Sequence, residues 1–436
     1  MLKRFVFLMF VAAVLGPGAH CANAQKRTYE RAPINYDDTP VHDAVAKLNA
    51  RLADGKAKLA FDNEHGYLAS VLRELDIPVS SQTLVFSKTS MQLHAISPRM
   101  PRAIYFNDDV YVGWCKLGKV LEFATTDANQ GAIFYTLNQT EKESPQFTRD
   151  RGTCLVCHSN HRTQNVPGYF VRSVFPQASG HPALGSGTYT TDSSSPFDER
   201  WGGWYVTGKH GRMRHMGNAI LPSDALDLDR EPGANQTKLD GFFATHRYLS
   251  PHSDLVALMV LEHQTQMHNA IASANYETRE ALHQSFEMNK LLERDADHIS
   301  ESAQRRMNAA AENVVDHLLM VDEFALQDTV EGTSDFAAEF QNRGPRDSKN
   351  RSLRQLDLQT RLFRYPCSYL IYNPAVDALP PKVHRLVVEK LMDVLEGRDE
   401  SESYAHLTPS MKQEILEILR ETKPGLFAGD SARSNL

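Results

Sequence analysis

The chain has 436 residues, with 47 lysines and arginines against 54 aspartates and glutamates, so its formal net charge at neutral pH is −7. This acidic balance argues against nucleic acid and anionic membrane surfaces as partners. The length is enough to bury large cores, and it predicts two or three domains.

The N-terminus has the pattern of a secretory signal peptide. Lys3 and Arg4 precede a nearly continuous apolar stretch over residues 5–15, and Ala22-Asn23-Ala24 matches a cleavage site. The apolar stretch is too short to span a bilayer, and no later stretch is long enough. We therefore predict a signal peptide over residues 1–24, export to the periplasm and no transmembrane segment.

Residues 25–137 predict N-terminal helices followed by an antiparallel β meander. Apolar residues recur at helical spacing between positions 38 and 76. From position 82 onwards the pattern changes to short β-rich runs, separated by turn residues such as Asn107-Asp108-Asp109. Five such runs are predicted as strands: 84–86, 103–106, 110–112, 120–123 and 132–135.

The stretch Cys154-Leu155-Val156-Cys157-His158 is the most informative part of the sequence. C-x-x-C-H is the attachment pattern of a c-type haem. Two thiols on one helical turn form thioethers with the porphyrin vinyl groups, and the histidine that follows ligates the iron. The motif predicts one covalent haem c held by Cys154 and Cys157, with His158 as the proximal ligand.

Two other kinds of site also use paired cysteines. A zinc site needs a second pair of soft ligands at short spacing, and the sequence has none. A thioredoxin-like dithiol opens a long helix, whereas Asn160, Pro167 and Gly168 leave room for only a short one. A redox dithiol protein without haem is kept as an alternative.

Loss of Cys21 with the signal peptide would leave Cys115 and Cys367 outside the motif. In an oxidising compartment they could form a disulfide between the β region and the later helical region. They could equally be two buried free thiols. Their spacing in the sequence does not decide between these states.

Residues 138–250 are rich in Gly, Ser and Pro and are predicted as a loop-rich haem-binding segment. Within it, residues 200–218 bring two His, two Met and several Gly together. Trp204 could pack on the porphyrin or bond a propionate, and Arg214 could neutralise a propionate, as could Arg200 and Arg212. His215 or Met216 is the predicted distal iron ligand, and the sequence does not separate these adjacent residues.

Residues 251–424 predict a mostly helical domain, and residues 425–436 a disordered tail. Long helices are predicted from 255 to about 294 and from about 301 to 325, forming an antiparallel hairpin. Residues 335–351 are interpreted as a linker or surface loop, and residues 353–372 have a helix-like apolar pattern. Two more helices are predicted after Pro380-Pro381 and Thr408-Pro409. The fold class expected for the whole chain is therefore α+β.

Several polar residues of the first long helix also repeat at helical spacing. His263 lies between Met259 and Met267, a pattern typical of a core-facing stripe with one hydrogen-bonded histidine. Two neighbouring polar stripes are most simply explained as solvated faces. They comprise Glu262, Gln266 and Asn269, and His268, Asn275 and Arg279.

The motif resembles c-type cytochromes as a class. Residues 84–90, 101–113 and 200–218 are similar to those of exported bacterial monohaem proteins described only as cytochrome c domain-containing. This resemblance covers most of the mature chain and implies haem and iron binding with electron transfer. The β segment before the motif departs from compact class I cytochromes.

The sequence thus favours an exported monohaem electron-transfer protein with a periplasmic redox partner. The alternative is a haem-dependent oxidoreductase or small-ligand sensor with an open distal site. Chain length favours the alternative, because a protein that only carries electrons needs a single small domain of on the order of 100 residues. The absence of a clear acid/base constellation beside the motif favours electron transfer. Whether the protein is an enzyme, its substrate and its oligomeric state are left open.

Overall fold

A computed structural model describes residues 28–223, 225 and 227–427. The predicted signal peptide lies outside the described residues, as does most of the predicted tail. Within the tail, residues 425–427 belong to a short 3₁₀ turn, Pro424–Phe427, whose Leu426 is buried.

The fold is α+β, as predicted. The described helices are α1 (Ala44–Ala53), α2 (Leu68–Glu74), α3 (Leu155–His158), α4 (Leu255–Leu291), α5 (Glu301–Leu318), α6 (Phe336–Asn342), α7 (Pro374–Asp377), α8 (Pro381–Leu395) and α9 (Pro409–Thr422). The described strands are β1 (Thr83–Val85), β2 (Arg102–Phe106), β3 (Val110–Trp114), β4 (Val120–Asp127), β5 (Gly131–Asn138), β6 (Phe147–Arg149), β7 (Val171–Val174), β8 (Thr188–Thr191) and β9 (Trp204–Tyr205).

The predicted meander forms the centre of a seven-stranded antiparallel sheet. Its strand order is β6-β5-β4-β3-β2-β1-β9, and β7 pairs with β8 in a separate ribbon. The five predicted strands correspond to β1–β5, whereas β6 and β9, which join the two edges, both come from residues 138–250. Gly113 pairs with both Ile104 and Glu122, while Ala124 pairs with Phe134.

One side of this sheet faces the C-x-x-C-H motif. Residues directly opposite one another in a ladder share a side, as do alternate residues along a strand. The side that carries Phe134 therefore carries Ala124, Glu122, Gly113, Ile104 and Arg102, and through Val85 it also carries Trp204. We call these residues the motif-facing side of the sheet.

The helical hairpin is formed by α4 and α5. Ser285 contacts Ser300 and Arg306 contacts Glu277, so the residue numbers rise on one helix as they fall on the other. This pattern is that of an antiparallel pair, as predicted. The first helix is buried on all sides from Leu255 to Ala272, because the sheet, residues 138–250 and the C-terminal region all cover it.

The interpretation of the polar stripes of α4 as solvated faces is wrong. Glu262, Asn269 and Asn275 are all buried. Their partners come from distant parts of the chain: Arg200 pairs with Glu262, and the backbone of Tyr169 bonds to Asn269. The interpretation of His263 as core-facing is confirmed, since its Nε2 lies 2.7 Å from Ser368 Oγ.

Two assignments in the C-terminal region differ from the structure. Residues 335–351 contain α6, because Phe336 and Phe340 form a buried pair one helical turn apart. Residues 353–372 form turns and a short 3₁₀ helix instead of an α-helix. The Asp357 carboxylate accepts the N–H groups of Gln359 and Thr360, and this local bonding competes with a helix.

A single hydrophobic cluster connects the described regions. It includes Tyr29 near the start, the sheet residue Val112, Leu155 of the motif, Val260 of α4 and Leu426 near the end. Among the described helices, none combines the length and hydropathy that crossing a membrane requires.

Candidate functional site

The C-x-x-C-H motif forms one short helical turn, as predicted. The helix α3 begins after Cys154, whose backbone N–H donates to Asp150 Oδ2 at 2.8 Å. The His158 N–H donates to the Cys154 carbonyl at 2.9 Å, which closes the turn. The two thiols and the imidazole therefore project from one turn of backbone, the arrangement that thioether attachment and iron ligation need.

The ring of His158 is held by a backbone carbonyl. Its Nδ1 lies 3.0 Å from the Gly168 carbonyl oxygen, and this is the only hydrogen bond the ring forms with the described residues. Since a carbonyl can only accept, Nδ1 carries the proton and the Nε2 lone pair is left for a ligand. Burial lowers the pKa of His158, which favours the neutral, ligating form.

Two aromatic rings contact this imidazole. Phe134 of β5 and Phe170 each lie 5.1 Å from it, centroid to centroid. The contact with Phe134 sets α3 against the motif-facing side of the sheet. The sheet thus provides one wall of the site.

Asn269 of α4 fixes the segment that holds His158. Its Oδ1 accepts the Tyr169 N–H at 2.8 Å, and its Nδ2 donates to the Tyr169 carbonyl at 2.6 Å. Gly168 packs directly against Asn269: a Cβ at position 168 would come within 3.0 Å of Asn269 Cγ. The Asn269 amide thereby positions the carbonyl that orients His158.

The two motif thiols are free and differ in exposure. Cys157 is exposed, whereas Cys154 is partly buried. Burial raises the pKa of Cys154 to about 12, and the Asp150 carboxylate adds to this shift. Redox-active dithiols depend on a lowered thiol pKa, so this environment disfavours the dithiol alternative.

A charged pair next to the motif was not predicted from the sequence. Arg102 of β2 forms an ion pair with Glu122 of β4, across Gly113 of the strand between them. Glu122 also accepts from the Ser90 hydroxyl at 3.0 Å and from Gln92 Nε2 at 3.1 Å. The sequence feature that could have indicated this pair is an arginine and a glutamate at two β-rich runs, 103–106 and 120–123. Their pairing depends on the register between the strands, which residue types alone do not specify.

The predicted distal ligands His215 and Met216 lie in two other buried clusters. His215 contacts Trp201 and His210, at ring distances of 5.5 and 4.7 Å, and its Nδ1 has no partner among the described residues. The Met216 sulfur accepts from the Ser173 hydroxyl at 3.6 Å. No hydrogen bond or ring contact within the described part joins either residue to positions 154–158, so their role stays a prediction.

The predicted haem-contacting residues Trp204 and Arg214 have different surroundings. Trp204 is buried on the motif-facing side of the sheet, where its Nε1 donates to the Arg172 carbonyl at 2.8 Å. The Arg214 guanidinium pairs with Glu231, with a nitrogen–oxygen distance of 2.8 Å. Of the two, Trp204 lies on the side of the sheet that carries the motif.

The other arginines of this segment are also engaged. Arg200 is fully buried and pairs with Glu262 at 3.1 Å, while Arg212 pairs with Asp328 at 3.2 Å. Cys115 and Cys367 are both buried free thiols, which is the second of the two predicted states.

Within the described ranges, no group of three or more His, Cys, Asp or Glu side chains could hold a metal ion. A haem iron needs no such group, because the porphyrin supplies four of its ligands. The residues at 154–158 fit a covalent haem through two free thiols and an oriented imidazole with an unshared lone pair.

Comparisons of this chain with protein-family models, with curated proteins and with solved structures found no match.

Proposed function

We propose that this chain is an exported c-type cytochrome that carries one covalent haem and transfers electrons in the periplasm. The observation that carries the proposal is the hydrogen bond between His158 Nδ1 and the Gly168 carbonyl, 3.0 Å long. A carbonyl that accepts a hydrogen bond from Nδ1 fixes the tautomer of a ligating imidazole and raises its basicity. A haem bound here supplies a one-electron centre.

The exposure of the motif supports electron transfer. Val156, between the two cysteines, is 67% exposed, and Cys157 is exposed as well. A cofactor attached at Cys157 would have one edge close to the protein surface. An exposed edge of this kind is accessible to a redox partner.

The alternative, a haem enzyme or small-ligand sensor, is favoured by the surroundings of the predicted distal ligands. Met216 is completely buried and its sulfur is engaged by Ser173. His215 is packed among aromatic rings. If neither reaches the iron, the distal position is open to water or a small molecule, as in ligand-binding haem proteins.

Haem staining of a denaturing gel tests the attachment. The full chain, expressed with export and haem-attachment machinery, should stain, and the double variant Cys154→Ala/Cys157→Ala should not. The matched control is Cys115→Ala/Cys367→Ala, which removes two free thiols outside the motif and should stain normally. A wild-type chain that does not stain would refute the proposal.

Absorption and EPR spectra in both oxidation states, with and without CO, separate the two functions. Low-spin iron that does not respond to CO supports electron transfer. Loss of low-spin character in His215→Ala or in Met216→Ala would then identify the distal ligand. High-spin iron that binds CO in the wild type would instead support the enzyme or sensor.

A further inference from the structure

The ion pair Arg102–Glu122 is largely removed from water at the motif-facing side of the sheet. The side chains are 21% and 12% exposed, respectively. Charges in such a position are screened less than surface charges and act over longer distances.

Several features of the sheet hold this pair in place. Gly113 leaves space for the Arg102 side chain, since a Cβ at position 113 would lie 2.6 Å from Arg102 Nε. Ser90 and Gln92 each donate to Glu122, so its carboxylate is well satisfied. Arg102 Nε, in contrast, is buried without a partner among the described residues. The guanidinium is thus the less fully compensated member of the pair.

The pair is also close to the motif. The charges of Arg102 and Glu122 both interact with His158 and with Cys154, and they do so with opposite signs. Sheet geometry agrees with this, because Glu122 is two residues from Ala124, the cross-strand partner of Phe134. Phe134 in turn contacts the ring of His158.

The other charged residues near the motif, Asp150 and Arg172, are held differently from the Arg102–Glu122 pair. Asp150 accepts backbone N–H groups from Gly152 and Cys154, so it is part of the turn itself. Arg172 lies near Cys157 and bonds to Thr188. Neither belongs to an ion pair shielded by the sheet.

We propose that Arg102 and Glu122 set the reduction potential of the haem site, acting as opposed charges at fixed positions beside His158. The inference rests on the proposed function and names two positioning residues that do not touch the iron. Oxidised iron carries one more positive charge than reduced iron. Arg102 therefore favours the reduced state, and Glu122 favours the oxidised state.

Potentiometric titration of the haem-loaded full chain tests this inference. Arg102→Gln should shift the equilibrium about tenfold toward oxidised iron, which for one electron is a lowering of the potential by about 59 mV. Glu122→Gln should shift it by a similar factor in the opposite direction. Arg102→Lys, which keeps the charge, should recover most of the loss.

The double variant Arg102→Gln/Glu122→Gln distinguishes electrostatics from damage to the fold. If charge is the cause, the two shifts cancel and the potential returns close to that of the wild type. If the single variants instead act by loosening the site, the double variant should show the largest change in reduction potential. That outcome, or single variants that shift in the same direction, would overturn the inference.

The control is Arg306→Gln, at an ion pair between α4 and α5 in which the arginine has a similar exposure and the glutamate is more exposed. Arg306 is 27% and Glu277 39% exposed. This control should change the equilibrium less than twofold, and equal shifts at Arg102 and Arg306 would also overturn the inference. A stained wild type with unchanged Arg102 and Glu122 variants refutes this inference alone, whereas an unstained wild type refutes the proposed function and this inference with it.

Discussion

Single contacts decide what the motif can do. His158 would be an ordinary structural histidine if its ring were free to rotate or were bonded through both nitrogens, as the ring of His210 is. His210 Nδ1 contacts the Met213 carbonyl at 2.7 Å, and its Nε2 accepts the Asn235 N–H at 2.9 Å. Among the described residues, the ring of His158 forms a hydrogen bond only with the Gly168 carbonyl, so one nitrogen is left for a ligand.

Gly168 is required because α4 approaches its backbone closely. In Gly168→Ala the new Cβ would come within 3.0 Å of Asn269 Cγ and of Thr163 Cβ. Overpacking of this kind should lower the free energy of unfolding by about 1–3 kcal/mol, as measured by denaturant titration. Gly152→Ala, where a Cβ has no neighbour within 4 Å, is the control and should change it by less than about 0.5 kcal/mol. Equal effects of the two substitutions would show that Gly168 has no special packing role.

Glu262 gives the stability a specific pH dependence. Burial raises its pKa to about 7 from a usual value of 4.5, and Arg200 opposes the shift. Between these values the folded chain holds a proton on Glu262 that the unfolded chain has released. The contribution of this group to stability therefore falls as pH rises through this window.

Comparison with Glu262→Gln isolates this contribution, because glutamine does not titrate. The difference in unfolding free energy, wild type minus variant, should fall by up to about 1.4 kcal/mol for each pH unit between pH 5 and 7. Denaturant titrations at several pH values measure it. A constant or rising difference across that range would mean that Glu262 is ionised in the folded protein, with Arg200 dominating over burial.

At the scale of secondary structure, the strands β1–β5 and the helices α4, α5, α8 and α9 were predictable from local patterns. Turn residues delimit the strands, and Thr408 caps α9 with its side chain on the Met411 N–H. The environment of α4 was not predictable, because its polar residues bond to Arg200, Ser368 and Tyr169, which are far away in sequence.

The same distinction applies to the candidate site. The turn at Cys154–His158 follows from a five-residue pattern. The Asn269 support and the Arg102–Glu122 pair depend on strand register and on the packing of α4, which no local pattern encodes. The predicted contribution of residues 200–218 rested on residue types alone. The arginines of this segment, Arg200, Arg212 and Arg214, form ion pairs with other parts of the protein.

The N-terminus of α4 has an unusually extensive cap. The buried Asp254 carboxylate accepts the N–H groups of Val256, Ala257, Thr333 and Ser334. Removing it in Asp254→Ala leaves several buried donors without an acceptor, so unfolding should become easier by about 3 kcal/mol or more.

The cap of α5 provides the comparison for Asp254. The Ser300 hydroxyl accepts one helical N–H, that of Ala303 at 3.1 Å, and it also contacts the Ser285 hydroxyl at 3.3 Å. Ser300→Ala should therefore cost about 1 kcal/mol. Both variants can be measured by urea titration under the same conditions. A cost at Ser300 as large as that at Asp254 would contradict the proposed role of Asp254 in joining α4 to residues 333–334.

At the scale of the whole molecule, the site depends on the packing of several regions. The sheet provides Phe134, the segment that follows the motif provides Gly168 to hold His158, and α4 provides Asn269. One hydrophobic cluster runs through all of them. The support for one imidazole therefore comes from segments that are 100 residues apart in sequence, such as Tyr169 and Asn269.

The most direct test of the central claim is the intact mass of the chain purified from a periplasmic fraction after denaturation. For the wild type we predict a single species that begins near Gln25 and carries the added mass of one haem. For the Cys154→Ala/Cys157→Ala variant we predict the mass of the polypeptide without haem. A wild-type mass equal to that of the bare polypeptide, under conditions in which another c-type cytochrome is loaded, would contradict the account.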